Sequence, residues 1–364
     1  MLLNDVFIYV LAPHLESEDE NISYYYDFSQ SIAEYTKIFA ELNVEWKWQP
    51  VTMQSFNQVI DDIVLSKNTS TKTPVILNLC DGDEINGTPG VSVVKKLEEV
   101  GLIYTGSEEY FYTITTSKIP MKQAFDKASV PTAKWNSIHT KEDKTDHLFD
   151  ELGSPMILKP SVSGGSMGVG IKNVVNDKEA LKNQLHSMFE GYRGWDLSID
   201  GIVAESFITG REFTTMITGS SRHPEHCRVY YPVERVFHAS LPDQEKFLSF
   251  DRLWEIYEEE SPMPKNENFY EYEPVATELA EEIRRISLEA YHAVNGTGYT
   301  RVDIRMDDKT GKLYVLEVNA QCGLSEDEDY TSIGAILRVN GTSFKELILE
   351  ILQDAFIRKG TKWD

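Results

Sequence analysis

The sequence predicts an α/β protein in which a small parallel sheet comes first and hairpins follow. Three stretches carry this reading. Residues 5 to 112 alternate apolar runs of strand length with amphipathic runs of helical spacing, the pattern of a parallel sheet covered by helices. A Gly/Ser-rich loop, Ser161 to Gly168, joins two further apolar runs. Arg301 to Asn319 reads as a β-hairpin that gathers charge on one face.

The composition is that of an ordinary globular chain, 41% hydrophobic and 26% charged over 364 residues, enough for two or three domains. No run of about 18 apolar residues occurs, so no membrane span is expected. The start, Met1 to Pro13, lacks a basic leader and reads as a first buried strand, not a signal peptide. Cys80, Cys227 and Cys322 are widely spaced and form neither a zinc pattern nor a disulfide framework, which suits a reducing cytoplasm. A net charge of −24 argues against a nucleic-acid partner, which needs a basic face. It leaves nucleotides open, because a few lysines and Mg²⁺ neutralise a triphosphate. The plainer meaning of the charge is solubility.

Taken in order, strands are expected at 6–11, 44–48, 74–80 and 102–105, with helices over 26–42, 56–65 and 91–100. Ligands of such sheets sit beyond the carboxyl ends of strands, here after Leu11 and after Cys80. The second place, Asp81-Gly82-Asp83-Glu84, is a solvated turn or a seat for a substrate amine. A helix opens at Thr116-Ser117-Lys118 and reaches Ala128. Another covers 143–152, with Gly153 as its cap. Strands at 156–160 and 169–175 flank the Gly/Ser loop. Strands at 202–208 and 211–217 are apolar, each interrupted by one carboxylate, Glu205 and Glu212. Residues 238–274 are irregular and acidic, a lid or a mobile loop. An amphipathic helix over 275–294 feeds the hairpin, and a helix over 343–356 closes the chain.

In the Gly/Ser loop, glycines let backbone N–H groups approach a phosphate, and serines add donors. The Walker A pattern is absent, as are the H-R-D and D-F-G motifs of protein kinases. Alone the loop is a weak signal. Its weight comes from Lys159 just before it and the hairpin after it. In the hairpin, a three-residue loop, Lys309-Thr310-Gly311, would pair Asp308 with Lys312, with Gly311 left-handed. Counting back sets Asp303 opposite Glu317 and Arg301 opposite Asn319. Oxygen ligands of this kind suit Mg²⁺, which is held by one or two carboxylates plus substrate phosphates. The plainer alternative is a solvated face with a salt bridge. The second arm, Leu313 to Val318, is apolar on both faces apart from Glu317. That suggests a covered strand, where a charge needs a partner or an ion.

The order Lys118, Lys159 with its loop, Glu205-x-Phe207-Ile208, Gly210-Arg211-Glu212, Arg301-x-Asp303 and Glu317-x-Asn319 resembles the ATP-grasp superfamily. Within it, "LGSPMILKPS", "GREFT", "LEVNAQCG", "GLIYTGS" and "TSKIPMKQAF" are similar to the D-alanine–D-alanine ligase branch, over most of the chain. The resemblance implies an N-terminal substrate subdomain (1–115), a central subdomain with the phosphate loop (116–200) and a C-terminal one with metal site and lid (201–364). ATP would lie between two antiparallel sheets. The implied activity is an ATP-dependent, ADP-forming carboxylate–amine ligase. A carboxylate is phosphorylated and an amine attacks the acylphosphate, a reaction that depends on positioning and electrostatics. By the same resemblance Lys118 and Lys159 contact adenine and phosphates, with Ser166 in the phosphate loop. Glu205 accepts from the adenine amino group beside the Phe207 and Ile208 backbone, and Glu212 holds the ribose. Asp303, Glu317 and Asn319 bind two Mg²⁺ ions, Mn²⁺ being an alternative, with Glu317 bridging. Arg301 stabilises the acylphosphate and the tetrahedral intermediate, and the Gly323 N–H is an oxyanion donor. The implied partners are small-molecule amino-acid or amine substrates and a second copy of the chain.

The departures concern the substrate. Ala12-Pro13-His14-Leu15-Glu16 stands where the family has a Gly-rich turn and a glutamate. Cys80 to Gly87, with Asn86 inside it, replaces an H-G-x-x-G-E-D-G loop. A lid-anchoring serine is matched by Gly165, and Lys246 or Arg252 stands in for a lid lysine–tyrosine pair. The segment after Asn319 ends in Glu326-Asp327-Glu328-Asp329, acids that would repel a plain carboxylate. The expectation is therefore a product other than D-Ala–D-Ala, with a cationic nucleophile as one option. The rivals are a true D-alanine–D-alanine ligase with divergent loops, a non-catalytic ATP-binding regulator, and a kinase-like enzyme that stops at the phosphorylated product.

Overall fold

The computed structural model describes residues 3–15, 27–67, 70–85, 87–192, 194–258, 260–329 and 331–361. Glu16 and Asn86, both in segments singled out for substrate, lie outside the described residues. The described strands form three sheets.

The first sheet is parallel and runs β2-β1-β3-β4, with β1 (Val6–Pro13), β2 (Glu45–Val51), β3 (Thr73–Asn78) and β4 (Ile103–Tyr104). The central strands β1 and β3 are apolar on both faces because both are covered, while the edge strand β2 exposes Glu45 and Lys47. Val6, Ile8, Val10, Val75 and Leu77 face one core, while Leu11 and Ile76 face another with Phe56, Ile60, Val93 and Leu97. The first of these cores also takes the last helix, Phe344–Arg358, through Phe344, Leu347, Ile348, Ile351 and Phe356.

The second sheet is antiparallel, in the order β5-β8-β6-β7. It holds β5 (Trp135–Ile138), β6 (Met156–Pro160), β7 (Val174–Val175) and β8 (Ile202–Ser206). Because β8 pairs with both β5 and β6, this sheet extends past residue 200 to Ser206. Two sequence expectations shrink here. The strand expected at 169–175 is mostly a 3-10 turn, Ile171–Asn173. Asn173 causes it by donating to the carbonyls of Leu158 (2.8 Å) and Gly168 (3.0 Å) while accepting from the Gly170 N–H (2.8 Å). The helix expected at 143–152 is only Leu148–Leu152. Asp143 instead accepts from the His139 N–H and the Thr140 hydroxyl, each at 2.7 Å, and makes a turn.

The third sheet carries β9 (Glu212–Thr218), β10 (Arg228–Val229), β11 (Val233–Phe237), β12 (Tyr270–Pro274), β13 (Tyr299–Met306) and β14 (Leu313–Ala320). The order is β12-β11-β9-β13-β14, with β10 beside β9. Thus 238–274 is not irregular throughout, since it ends in an edge strand. The helix Thr277–Ala293 seals one face, setting Ile283, Ile286 and Ala290 against Val302, Ile304, Val315 and Val318.

The hairpin forms with the expected partners, Asp303 opposite Glu317 and Arg301 opposite Asn319. The route to that register differs. The Asp307 N–H donates to the Lys312 carbonyl at 2.9 Å, so the loop is one residue longer than expected. A β-bulge between Asp303 and Ile304, with Leu316 as the extra residue, restores the count. Gly311 is left-handed, φ +70°, as its place in the loop requires. The covered-strand expectation for the second arm needs correction. β14 is an edge strand, and Leu313, Val315 and Val318 are buried while Glu317 and Asn319 are half-exposed. One face of β14 opens to a cleft.

Gly298, at φ +76°, lets the start of β13 approach the end of the parallel sheet, where a Cβ would stand 2.2 Å from the Gly106 carbonyl oxygen. Gly298→Ala is expected to cost about 2–3 kcal/mol of stability. A lower urea midpoint with an unchanged slope is the expected reading, and an unmoved midpoint would contradict this contact.

Candidate active site

The site is built on β-register. On the helix Lys118–Ala128, Lys118 and Lys122 lie one turn apart on one face. Lys122 is 1% exposed, with its ammonium 2.6 Å from Glu205 Oε2. It also donates to Thr132 Oγ1 at 2.9 Å. Lys159, on β6, pairs with the other oxygen of Glu205. Burial alone would raise the Glu205 carboxyl, but Lys122 and Lys159 outweigh it and hold it down to about 2. Lys122 was not singled out from the sequence. Its signal was the four-residue spacing from Lys118.

Glu212 sits between two arginines that the sequence reading also missed. Arg235 of β11 and Arg305 of β13 are its direct cross-strand neighbours on β9, and each takes one of its oxygens. A ribose reaching Glu212 must share it with them. Phe207 donates its backbone N–H to the Pro155 carbonyl at 3.0 Å, and the Ile208 carbonyl accepts from Arg305 at 3.2 Å. Both of these backbone groups are therefore engaged within the chain.

Lys118 joins the phosphate loop to the hairpin. Its N–H donates to the Ser161 carbonyl at 2.8 Å, and the Ser117 and Ser161 hydroxyls share a hydrogen bond of the same length. The Lys118 ammonium reaches Ser163, at 3.3 Å from the carbonyl and 3.2 Å from Oγ, and lies 3.8 Å from Glu317. Burial lowers its pKa, partly opposed by Glu317. Gly165, Ser166 and Gly168 are left-handed, which turns the loop back on itself. On the hairpin, Arg301 forks onto Asp303, Nε at 3.1 Å and Nη2 at 2.9 Å, and Asn319 Nδ2 donates to Asp303 at 3.0 Å. Burial opposes ionisation of Asp303, but Arg301 and Arg235 hold its carboxyl below the usual range. Among the described residues no group of three or more His, Cys, Asp or Glu could enclose a metal unaided. Asp303, Glu317 and Asn319 make an incomplete oxygen set, which fits an Mg²⁺ that completes its shell with phosphate oxygens and water.

The segment 238–274, expected as a lid or a mobile loop, lies against the Gly/Ser loop and the residues just after it. Trp254 Nε1 donates to the Gly165 carbonyl and the Phe250 N–H to the Val169 carbonyl, both at 2.8 Å. Glu260 accepts from the Ile171 N–H at 3.0 Å. Arg252 is held between Glu245 (2.6 Å) and Glu260 (3.5 Å). Lys246 contacts Asp243 at 2.8 Å but keeps a third of its side chain exposed.

At the substrate end, Glu84 caps the helix Val91–Glu99, accepting from the Gly90 N–H (3.1 Å) and the Ser92 hydroxyl (2.8 Å). Asp81 is exposed at the strand end. The acidic turn does not behave as expected. Glu326 pairs with Lys37 at 3.0 Å, Asp327 accepts from Gln30 at 3.1 Å, and Ser325 donates to Glu34 at 2.7 Å. The turn is tied to the helix Ser29–Glu41, so the charge that argued against a carboxylate substrate is partly neutralised inside the chain. Gly323 is exposed, with open space around its Cα.

Residues 124–353 match the family model described as D-ala D-ala ligase C-terminus. The chain belongs to that family. It is an ATP-grasp ligase, and Lys159, Glu205 and the hairpin acids fall inside the matched span, with Lys122 two residues before it. The D-alanine–D-alanine ligase of Nitrosococcus oceani is 26% identical over 299 residues, 81% of this chain and 80% of that one. The one from Acinetobacter baumannii is 28% identical over 71% of this chain and 72% of its own. The fold agrees with a crystal structure of the Bacillus anthracis D-alanine–D-alanine ligase complexed with ATP, at TM-score 0.66 and 22% identity, covering 98% and 99% of the two chains. These relatives lend no support to the expectation of a product other than D-Ala–D-Ala. The family and its ATP-bound neighbour are consistent with ATP and a divalent metal. No helix among the described residues is long and apolar enough to cross a membrane.

Glu205→Gln leaves Lys122 buried beside a neutral amide, with an expected loss of about 3–5 kcal/mol. Because the native carboxyl lies near 2, below its unfolded value, the pair stabilises fully above the unfolded value. The stability gap between wild type and Glu205→Gln should hold from pH 7 to about 5 and close as pH falls toward 2. Chemical denaturation at several pH values checks both.

Proposed function

We propose that this chain is an ADP-forming ligase that joins two amino acids, D-alanine foremost, by activating the carboxylate of one toward the amine of the other. The observation that carries this reading is Lys118. Its ammonium touches both the phosphate loop at Ser163 and the hairpin at Glu317, so loop and acids face each other across one side chain. ATP, when bound, supplies the phosphoryl group that makes the carboxylate an acyl donor. Asp303, Glu317 and Asn319 would hold Mg²⁺, two ions in this proposal, and Lys118 and Lys159 offset phosphate charge. Arg301 stabilises negative charge on the oxygens of the reacting carboxyl group, with the Gly323 N–H as a second donor. Asp81 offers a counter-charge to the ammonium of the first amino acid. The three-subdomain division and a homodimer belong to the same proposal, the dimer to be checked by sedimentation.

D-alanine is favoured because the relatives bear that name and because Lys37 and Gln30 already engage Glu326 and Asp327. A second reading, another acceptor amine, draws on Glu328 and Asp329, which remain exposed. ADP release that requires Mg²⁺ and D-alanine is the expected result, run beside L-amino acids, β-amino acids and polyamines. Glu317→Gln should lower the rate by about 100-fold or more. No release with any member of the panel, with ATP binding intact, would overturn the ligase reading in favour of a regulator. Release without any amine would favour a kinase-like enzyme.

Asp81→Asn should raise the KM for the first amino acid by about tenfold with little change for ATP. Desolvation by the surrounding protein pushes the Asp81 carboxyl up, and the neighbouring Asp83 adds to the rise. A raised carboxyl loses its charge as pH falls, so this KM should climb on acidification in wild type but not in Asp81→Asn. Parallel pH profiles would count against the role.

A further inference from the structure

We propose that Gln321 is a positioning residue whose side-chain amide sets how the metal hairpin stands against the strand ends of the parallel sheet, and so shapes the cleft for the amino-acid substrate. This rests on the ligase reading above.

Gln321 follows Asn319 by two residues and is 1% exposed. Its Oε1 accepts from the Ser107 N–H at 2.8 Å, and its Nε2 donates to the Asn78 carbonyl. Asn78 ends β3, and Ser107 follows β4. One amide thus closes two strand ends that lie 243 and 214 residues earlier in the chain. Gln321 also has a left-handed backbone, φ +59°, unusual for a residue with a long side chain. Such a conformation persists where the surroundings over-determine it, and the two amide bonds do so here. The partner side is shaped to receive it, since a Cβ on Gly106 would stand 2.0 Å from Gln321 Oε1.

The chemistry of the residue matters. It faces one carbonyl and one N–H, and only an amide offers a donor and an acceptor together at that reach. Its position passes on in both directions. The Asn78 N–H donates to Thr105 Oγ1 at 3.0 Å, and Asn78 Oδ1 accepts from the Cys80 N–H at 3.1 Å, which leads to Asp81. Along its own chain Gln321 leads to Cys322 and Gly323. The proposed ammonium seat and oxyanion donor are therefore tied to a single side chain.

The test uses Gln321→Ala and Gln321→Glu in the full chain. The expected result is an amino-acid KM raised about tenfold, with ATP KM changed by less than about twofold. Gly106→Ala, which pushes on the same amide, should reproduce the rise, and its effect should not add to that of Gln321→Ala. Equal rises in both KM values, an unmoved amino-acid KM, or strict additivity would overturn the proposal. Failure of the ligase reading is separable, because it appears as wild-type inactivity with every amino acid. In that case spin labels at Leu65 and Lys309, with Cys227→Ser, report geometry directly. A distance distribution broader in Gln321→Ala than in its parent supports positioning, and identical distributions overturn it.

Discussion

A carboxylate buried in a β-sheet must bring a cation with it, and this constraint organises the site. Desolvation disfavours the charged form strongly, and only a close, well-oriented cation offsets it. Glu205 and Glu212 meet the demand by pairing with cations from neighbouring elements, Lys122 and Lys159, and Arg235 and Arg305, whereas Asp303 pairs with Arg301 of its own strand. These pairs fix which strands can be neighbours, because a register slip of one residue would strand a charge on the wrong face. They also set five cations against three carboxylates in a chain whose net charge is −24. In the proposed function that excess of cations would offset the repulsion between a triphosphate and the acidic surface.

The same pairs explain how ligands and protein compete. Arg301 holds Asp303, and Lys118 lies near Glu317, so the groups that would serve a metal and a phosphate here satisfy each other. A divalent ion with phosphate oxygens can replace those contacts without leaving a charge unpaired. The lid repeats the theme with neutral donors. Trp254 bonds to a backbone carbonyl of the Gly/Ser loop and Phe250 to that of Val169 just past it, so loop and cover are arranged together.

The three sheets are not independent modules in sequence. The last helix completes the core of the first sheet, and the residue after the hairpin binds the ends of β3 and β4. The proposed substrate seat and metal site would consequently be set by contacts between opposite ends of the chain. Gly298 and Gly106 allow that approach because neither carries a side chain at the crossing point.

By itself the sequence determined the α/β class, the parallel first sheet, the place of the Gly/Ser-rich loop and the hairpin with Asp303 opposite Glu317. Each follows from local periodicity or from the order of motifs along the chain. The hairpin register was reached although a longer loop and a bulge each moved it by one residue, because the two shifts cancel at the site. Only the tertiary structure decided what the charges meet. Arg235 and Arg305 become partners of Glu212 through strand order, which periodicity does not encode. The acidic turn lost its apparent meaning once Lys37, some 290 residues away, was seen to bind Glu326. Gln321 carries no motif at all, and its role arises from two strand ends brought to it by the fold. Local pattern depends on neighbours in sequence, whereas burial and charge pairing depend on neighbours in space.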